Sequence, residues 1–272
     1  MPNLPSIYSD YAAEYEYKAG GVTREMSAAC LSSVPPLTPD SVVHDNACGP
    51  GIVTSVLMES GAKPTIYATD LADGMVEVTN GLAKQNGWRT VHGKVMDGQN
   101  LEFSENYFTH SFSCMGIYLF PNPTKGVEEM YRTLRPGGTA CVTGMRDIIW
   151  AGYAEKVYAE RFPDAQEPLG IPDYFVWSKE GVLANVLAGA GFRDISVKEI
   201  NPAFRFEDAE TTRTIWKSKL KTFSTALGKL DDATYDAYYT QFWDELAKDH
   251  VHVEDNGRTF MKVRVWLATA TK

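Results

Sequence analysis

Short apolar runs alternate along most of the chain with stretches whose hydrophobic residues recur at helical spacing. From about Ile7 to Ser33 the period is helical. Pro35, Pro36 and Pro39 then stop it, because proline has no amide proton to give and its ring crowds the turn before it. Ser41 to Ala47 reads as a buried strand, and Ile52 to Ser60 as a helix with Val53, Val56 and Leu57 on one face. Thr65 to Asp70 is a second strand. Asp73 is placed to cap a helix that runs to Asn86 and is ended by Gly87. Strands over Thr90–Val95, near Tyr107–Met115 and over Thr139–Met145 continue the alternation, with a helix over Thr124–Leu134 and a turn at Pro136-Gly137-Gly138. Lys179–Gly191 reads as a helix and Asp194–Ile200 as extended. Strands separated by helices of this length predict an α/β fold, a parallel sheet covered on both faces.

Two helical stretches, about Thr211–Leu227 and Asp232–Asp249, interrupt that pattern before a long alternating run, Phe260–Thr269, which reads as the last strand. Trp216, Phe223, Tyr238, Tyr239, Phe242 and Trp243 make them aromatic-rich. They read either as a cap over the ligand edge of the sheet or as an extra helical layer. The chain is therefore expected to be one domain over 1–272, with an N-terminal helical lid over 1–40 and a helical cap insertion over 201–257.

Composition narrows the function classes. At 272 residues and 44% hydrophobic, the chain can bury a sizeable core. A net charge of −9 without any basic stripe argues against nucleic acid or an anionic lipid surface as partner. No run of eighteen apolar residues occurs, so no membrane span is expected. The first twenty residues are tyrosine-rich and acidic and lack the basic start and apolar run of a secretion signal. Cys30, Cys48, Cys114 and Cys141 match neither a zinc spacing nor a disulfide framework, which together points to a reducing, cytoplasmic location. His250 and His252 lie beside Glu254 and Asp255, but no third ligand cluster accompanies them, so no metal is expected.

The candidate chemistry sits at the turns that follow strands. Asp45-Asn46-Ala47-Cys48-Gly49-Pro50-Gly51 closes the first strand, and in an open parallel sheet ligands bind beyond the carboxyl ends of strands. A glycine-rich turn lets a ligand approach the backbone, and the next helix offers unpaired amides to a carboxylate or phosphate. A dinucleotide turn needs a third small residue where this sequence has Ile52. The spacing Ala47-x-Gly49-x-Gly51 is instead of the adenosylmethionine type, with a small residue in place of its first glycine. Asp70 ends the second strand, where a carboxylate can accept both ribose hydroxyls or simply cap a helix. Met75 packs on an adenine face or in the core. Asp97, in Val95-Met96-Asp97-Gly98, accepts an adenine amino hydrogen or makes an Asp-Gly turn.

Taken in order, these motifs together with Leu134-Arg135-Pro136-Gly137-Gly138 resemble those of the class I S-adenosylmethionine-dependent methyltransferases, over roughly residues 7–200. Within that superfamily the chain is most similar to fungal secondary-metabolism enzymes of the gliotoxin bis-thiomethyltransferase type, a likeness shared by Ile7-Tyr8-Ser9-Asp10-Tyr11 and the aromatic insertion. The resemblance implies a Rossmann-like seven-stranded sheet with its last strand antiparallel. It implies S-adenosyl-L-methionine as cofactor and S-adenosyl-L-homocysteine as product. Ala47, Gly49 and Gly51 would lie at the methionine moiety, with Asp45 anchoring their turn. Asp70 would lie at the ribose, Asp97 at the adenine, and Cys114 and Met115 beside the cofactor after the fourth strand, with Cys48, Leu71, Met75, Met96 and Gly98 among its other contacts.

Methyl transfer from a sulfonium is an in-line displacement, so alignment and water exclusion dominate. His44, His92 and His110 fall within strands and read as packing residues. The aromatic residues Tyr11, Tyr15, Tyr118, Phe120, Trp150, Tyr153 and Trp177 fall where the ligand edge is expected, and as a set they predict an aromatic-walled substrate site. The expected partner is a small, largely apolar secondary metabolite methylated at S, O or N. Thiol methylation of an epidithiodioxopiperazine-like dithiol is favoured only through the family likeness. A cofactor-binding protein that transfers no methyl group stays open as the alternative.

Overall fold

A computed structural model describes residues 3–147, 149–171 and 176–272; Met1 and Pro2 of the expected N-terminal lid lie outside them. Ten strands are present among the described residues: Val42–Asn46 (β1), Thr65–Asp70 (β2), Val91–Val95 (β3), Phe108–Ser113 (β4), Leu134–Asp147 (β5), Arg193–Ile200 (β6), Ala203–Phe206 (β7), His252–Val253 (β8), Thr259–Lys262 (β9) and Arg264–Thr271 (β10). Seven of them form one sheet in the order β3-β2-β1-β4-β5-β10-β6. β1 runs parallel to β2 and β4, β2 to β3, and β4 to β5, whereas β10 is antiparallel to both β5 and β6. The last strand is thus the antiparallel one, as the resemblance implies. Strand order reverses between β1 and β4, which leaves a crevice at their carboxyl ends.

The helices are Leu4–Tyr11 (α1), Tyr15–Lys18 (α2), Val22–Leu31 (α3), Ile52–Glu59 (α4), Asp73–Gln85 (α5), Pro123–Thr133 (α6), Ile149–Arg161 (α7), Val182–Gly189 (α8), Ala209–Phe223 (α9) and Asp232–Asp249 (α10). Side-chain caps set several starts: Asn122 accepts the Lys125 amide, Asp208 the Thr211 amide and Asp231 the Thr234 amide. Asp73 is no such cap. It is the first helical residue of α5, after Ala72 in extended conformation. Its carboxylate accepts the Ser9 hydroxyl at 2.7 Å, which ties α1 to α5.

Three expectations change. The single helical run from Ile7 to Ser33 is broken into α1, a 3-10 turn at Ala12–Glu14, α2 and α3, with Gly20 and Gly21 between the last two in left-handed conformation. Helix α7 stands where the sequence pattern predicts no element. Its buried face is built by Ala151, Ala154 and Val157, residues too small to announce an apolar stripe. The run Phe260–Thr269 is not one strand. β9 belongs to a separate three-stranded sheet, β7-β9-β8, and the chain changes sheets at Val263, whose amide donates to the Pro202 carbonyl at 2.9 Å. Segment 201–257 therefore carries β7 and β8 in addition to its helices.

Candidate active site

Two cavities adjoin at the carboxyl ends of β1, β2 and β4. The larger encloses about 680 Å³ and is bordered by the turn after β1, by Asp70 to Ala72 after β2, by Met96 to Gln99 after β3 and by Cys114 to Gly116 after β4, with Tyr8 and Tyr15 from the N-terminal segment on the other side. The smaller encloses about 110 Å³ between the N-terminal segment, β7 and α9. Tyr8, Tyr15, Thr23, Met115 and Tyr118 border both.

The turn after β1 is held from beneath. Asp45 is fully buried and does not border the cavity; its Oδ2 accepts the amide and hydroxyl of Thr54 at 3.1 and 2.7 Å, pinning α4 to the strand. Burial raises the Asp45 carboxyl from 3.8 to about 7. Ala47 replaces the commoner glycine yet adopts a left-handed φ of 55°. Its methyl group lies against Gly116, where an added Cβ would come within 2.4 Å of it. Gly49 and Gly51 are also left-handed, and Gly51 leads into α4 without bordering the cavity.

Asp70 closes this turn from the neighbouring strand. Oδ2 accepts the Gly49 amide and Oδ1 the Ala72 amide, both at 2.9 Å. Burial raises its carboxyl, against the lowering pull of those amides. Asp97 Oδ1 accepts the amide of Gln99 at 2.9 Å and its side-chain nitrogen at 3.1 Å. Cys48 and Cys114 are buried thiols. Desolvation raises the first and the neighbouring Cys30 thiol the second, so both stay protonated near neutrality. Met115 is left-handed as well (φ 64°), its amide held by the Thr143 hydroxyl at 2.9 Å; a bulky side chain in that region carries strain of the kind found at ligand sites.

Of the residues singled out in the sequence, Ala47, Cys48, Gly49, Asp70, Leu71, Met75, Met96, Asp97, Gly98, Cys114, Met115, Tyr118 and Phe120 meet around the larger cavity. Tyr11 and Trp150 border the smaller one, and Tyr15 and Tyr118 border both. Tyr153 borders neither: it sits on α7 with its hydroxyl 3.1 Å from His250 Nε2. Trp177 borders neither, being buried against Gly144 and Tyr118. Among the residues sequence reasoning passed over are Asn46, Tyr8, Phe204 and Lys219. Tyr8 was within reach, since it precedes Tyr11 and Tyr15 at helical spacing. The histidines stay outside. His44 is stacked on Phe108, bonded to Thr69 at 3.0 Å and lowered by burial to about 3, hence neutral.

The larger cavity fits the cofactor the sequence implied. Asn46 borders it fully buried, with neither its carboxamide oxygen nor its nitrogen paired among the described residues. Its walls place a carboxylate at the end of β2 and a second after β3, joined by apolar faces from Met75, Met96 and Ile52. Among the described residues no cluster of His, Cys, Asp or Glu suits a metal ion, and no helix is long and apolar enough to cross a membrane.

Sheet order, an antiparallel last strand and a crevice at the switch point are the features of the class I methyltransferase fold. The family model of the methyltransferase domain matches residues 44–142. The chain is similar to methyltransferase ktnA of Aspergillus niger, 29% identical over 61% of this chain and 63% of that one. It is also similar to the acetylaranotin bis-thiomethyltransferase of Aspergillus terreus, 27% identical over 40% of this chain and 37% of that one. A putative methyltransferase from Bacillus halodurans shares the fold at a TM-score of 0.56, with 20% identity, over 90% of this chain and 97% of that one. The alignments span about three fifths or less of these curated relatives.

Proposed function

We propose that this protein methylates a hydroxyl or thiol group of a small, largely apolar metabolite of secondary metabolism. The observation that carries the reading is the adjacency of the two cavities: a cofactor-sized crevice at the switch point shares Tyr15, Met115 and Tyr118 as wall with an aromatic pocket. In this reading the amides at the start of α4 receive the cofactor's amino-acid carboxylate, and Asp70 receives the ribose hydroxyls. Asp97 takes the adenine amino group, with Met75 and Met96 against the ring. Asn46 uses its unpaired carboxamide on the same ligand. When bound, S-adenosylmethionine supplies an electrophilic methyl carbon on a sulfonium.

The chain's own residues then align the acceptor and exclude water. α1 and α9 close over the site as lid and cap, packed through Tyr8 and Tyr11 on Phe223 at 5.5 and 6.1 Å between ring centroids. Leu71 and Val176 leave an apolar rim, 51% and 40% exposed, through which an apolar acceptor can enter. The pocket's rings suit both a planar acceptor and a sulfonium. The name of the Aspergillus terreus relative favours a thiol; the aromatic walls serve a phenol equally. A calorimetric titration with S-adenosylhomocysteine, followed by transfer of labelled methyl to a panel of phenols, thiols and amines, tests this. Micromolar affinity with transfer to phenols or thiols is expected. No affinity, or transfer to amines alone, overturns it.

A further inference from the structure

Helix α9 turns an apolar face inward, formed by Ile215, Trp216, Leu220 and Phe223, and Lys219 lies on that same face, one turn beyond Trp216. Its Nζ sits 4.9 Å from the centre of the Phe204 ring and 5.2 Å from that of Trp216, on the wall of the smaller cavity. Among the described residues it has no hydrogen-bond or ion-pair partner. Trp216, buried on the same wall, has an indole N–H that is also without a hydrogen-bond partner among the described residues. These two donors on the wall are left without an acceptor among the described residues, an arrangement that is unfavourable unless a ligand completes it.

The charges around Lys219 make this sharper. The charged group that acts on it from the facing N-terminal segment is Lys18, itself paired with Glu14 at 2.6 Å. The titratable groups sharing the cavity are the phenols of Tyr8, Tyr11, Tyr15 and Tyr118, neutral at physiological pH. Burial, and then the like charge of Lys18, lower the amine from 10.5 to about 7. A lysine that merely covers apolar surface extends its head into water. This one ends between two aromatic rings.

We propose that Lys219 is the proton acceptor for the methyl acceptor, an aromatic small molecule carrying a phenol or thiol group. This rests on the transfer reading above. The acceptor's O–H or S–H gives its proton to the neutral Nζ. The acceptor's lone pair then forms the new bond to carbon as the carbon–sulfur bond of the sulfonium breaks, its electron pair remaining on sulfur. The ammonium so formed keeps its proton until the product leaves and then releases it to solvent. The Phe204 and Trp216 rings hold the transient cation by their faces.

Benzaldehyde with cyanoborohydride traps neutral amines, and peptide mass spectrometry locates them. Lys219 should be trapped with a pH midpoint near 7, well below the roughly 10.4 of a free lysine amine, and phenol should slow the trapping. Lys219→Met and Lys219→Arg should leave S-adenosylhomocysteine affinity unchanged, and both should lower methylation of phenol by roughly 10²–10⁴-fold. Arginine keeps the charge but takes no proton, so rescue by Lys219→Arg would overturn the assignment. Methylation of 4-nitrophenol, a far stronger acid that is partly ionised at neutral pH, should fall far less. Trapping of Lys219 with the pH profile of a free lysine amine, or equal losses on both phenols, would also sink it. Trapping at pH 7 with no transfer to any acceptor would instead overturn the transfer reading and the base with it.

Discussion

Asp70 Oδ2 accepts the backbone amide of Gly49 at 2.9 Å, so the end of β2 is bonded to the turn that follows β1. The carboxylate proposed to read the ribose thus also fixes the loop proposed to hold the amino-acid end. Hydrogen bonds to a charged group are worth about 1.5–3 kcal/mol each. Asp70→Ala should weaken S-adenosylhomocysteine binding by roughly 10- to 150-fold, and should lower Tm because the Gly49 and Ala72 amides lose their acceptor. Asp70→Asn, which retains one acceptor oxygen, should recover part of the Tm but little of the affinity. Titration calorimetry and a melting curve on the same samples separate the two effects.

Gly98 borders the larger cavity where no side chain fits. An added Cβ would come within 2.4 Å of Asn46 Oδ1 and 2.5 Å of the Phe120 ring. Overpacking of this kind costs about 1–3 kcal/mol. Gly98→Ala should therefore lower Tm and displace Asn46 or Phe120 into the crevice, weakening S-adenosylhomocysteine binding. A variant that melts and binds like the wild type would show that the loop after β3 yields freely.

The sheet was legible because its strands are short apolar runs closed by turns, and the glycines after β1 follow a spacing that few ligands require. The site's far wall was not. Alternation through Val263 continues without glycine or proline, so nothing in the residues marks the change of sheet that places Phe204 beside α9. A lysine on an amphipathic helix ordinarily reads as a solvated stem, and only the packing of β7 and α1 against α9 shows that Lys219 ends among rings. Asn46 was passed over because it occupies a position that alternation assigns to a strand interior. Trp150 and Tyr153 were grouped together, but the chain between them is helical, so three positions turn them to different neighbours: Trp216 for one, His250 for the other.

α1 rests on α5 at a point of close backbone approach. An added Cβ on Gly74 would lie 2.6 Å from the Ser9 carbonyl oxygen, while the Ser9 hydroxyl binds Asp73 beside it. Gly74→Ala should lift the N-terminal segment off the crevice. If that segment serves as the lid, release of S-adenosylhomocysteine in stopped flow should be roughly 10-fold faster, from about 1–3 kcal/mol of misfit. Proteolysis within residues 3–20 should become faster in step. Faster proteolysis with unchanged release would show that the segment covers the site without retaining the ligand.

Asp45 predicts a pH dependence of stability whose sign follows from its burial. Its carboxyl rises from 3.8 to about 7 on folding, chiefly by desolvation, so the folded chain holds this proton after the unfolded chain has released it. Its contribution to stability is therefore complete below about pH 4 and is lost as pH rises through 7. The geometry agrees, since Oδ2 is bonded to Thr54 while Oδ1 has no partner among the described residues and can carry the proton. Asp45→Asn retains an acceptor for Thr54 and has nothing to titrate. Between pH 4 and 7 the variant should lose less stability than the wild type in urea melts, and the two curves should run parallel above pH 8. Parallel curves throughout would mean that Asp45 is ionised in the folded state, with a partner drawn from the solvent.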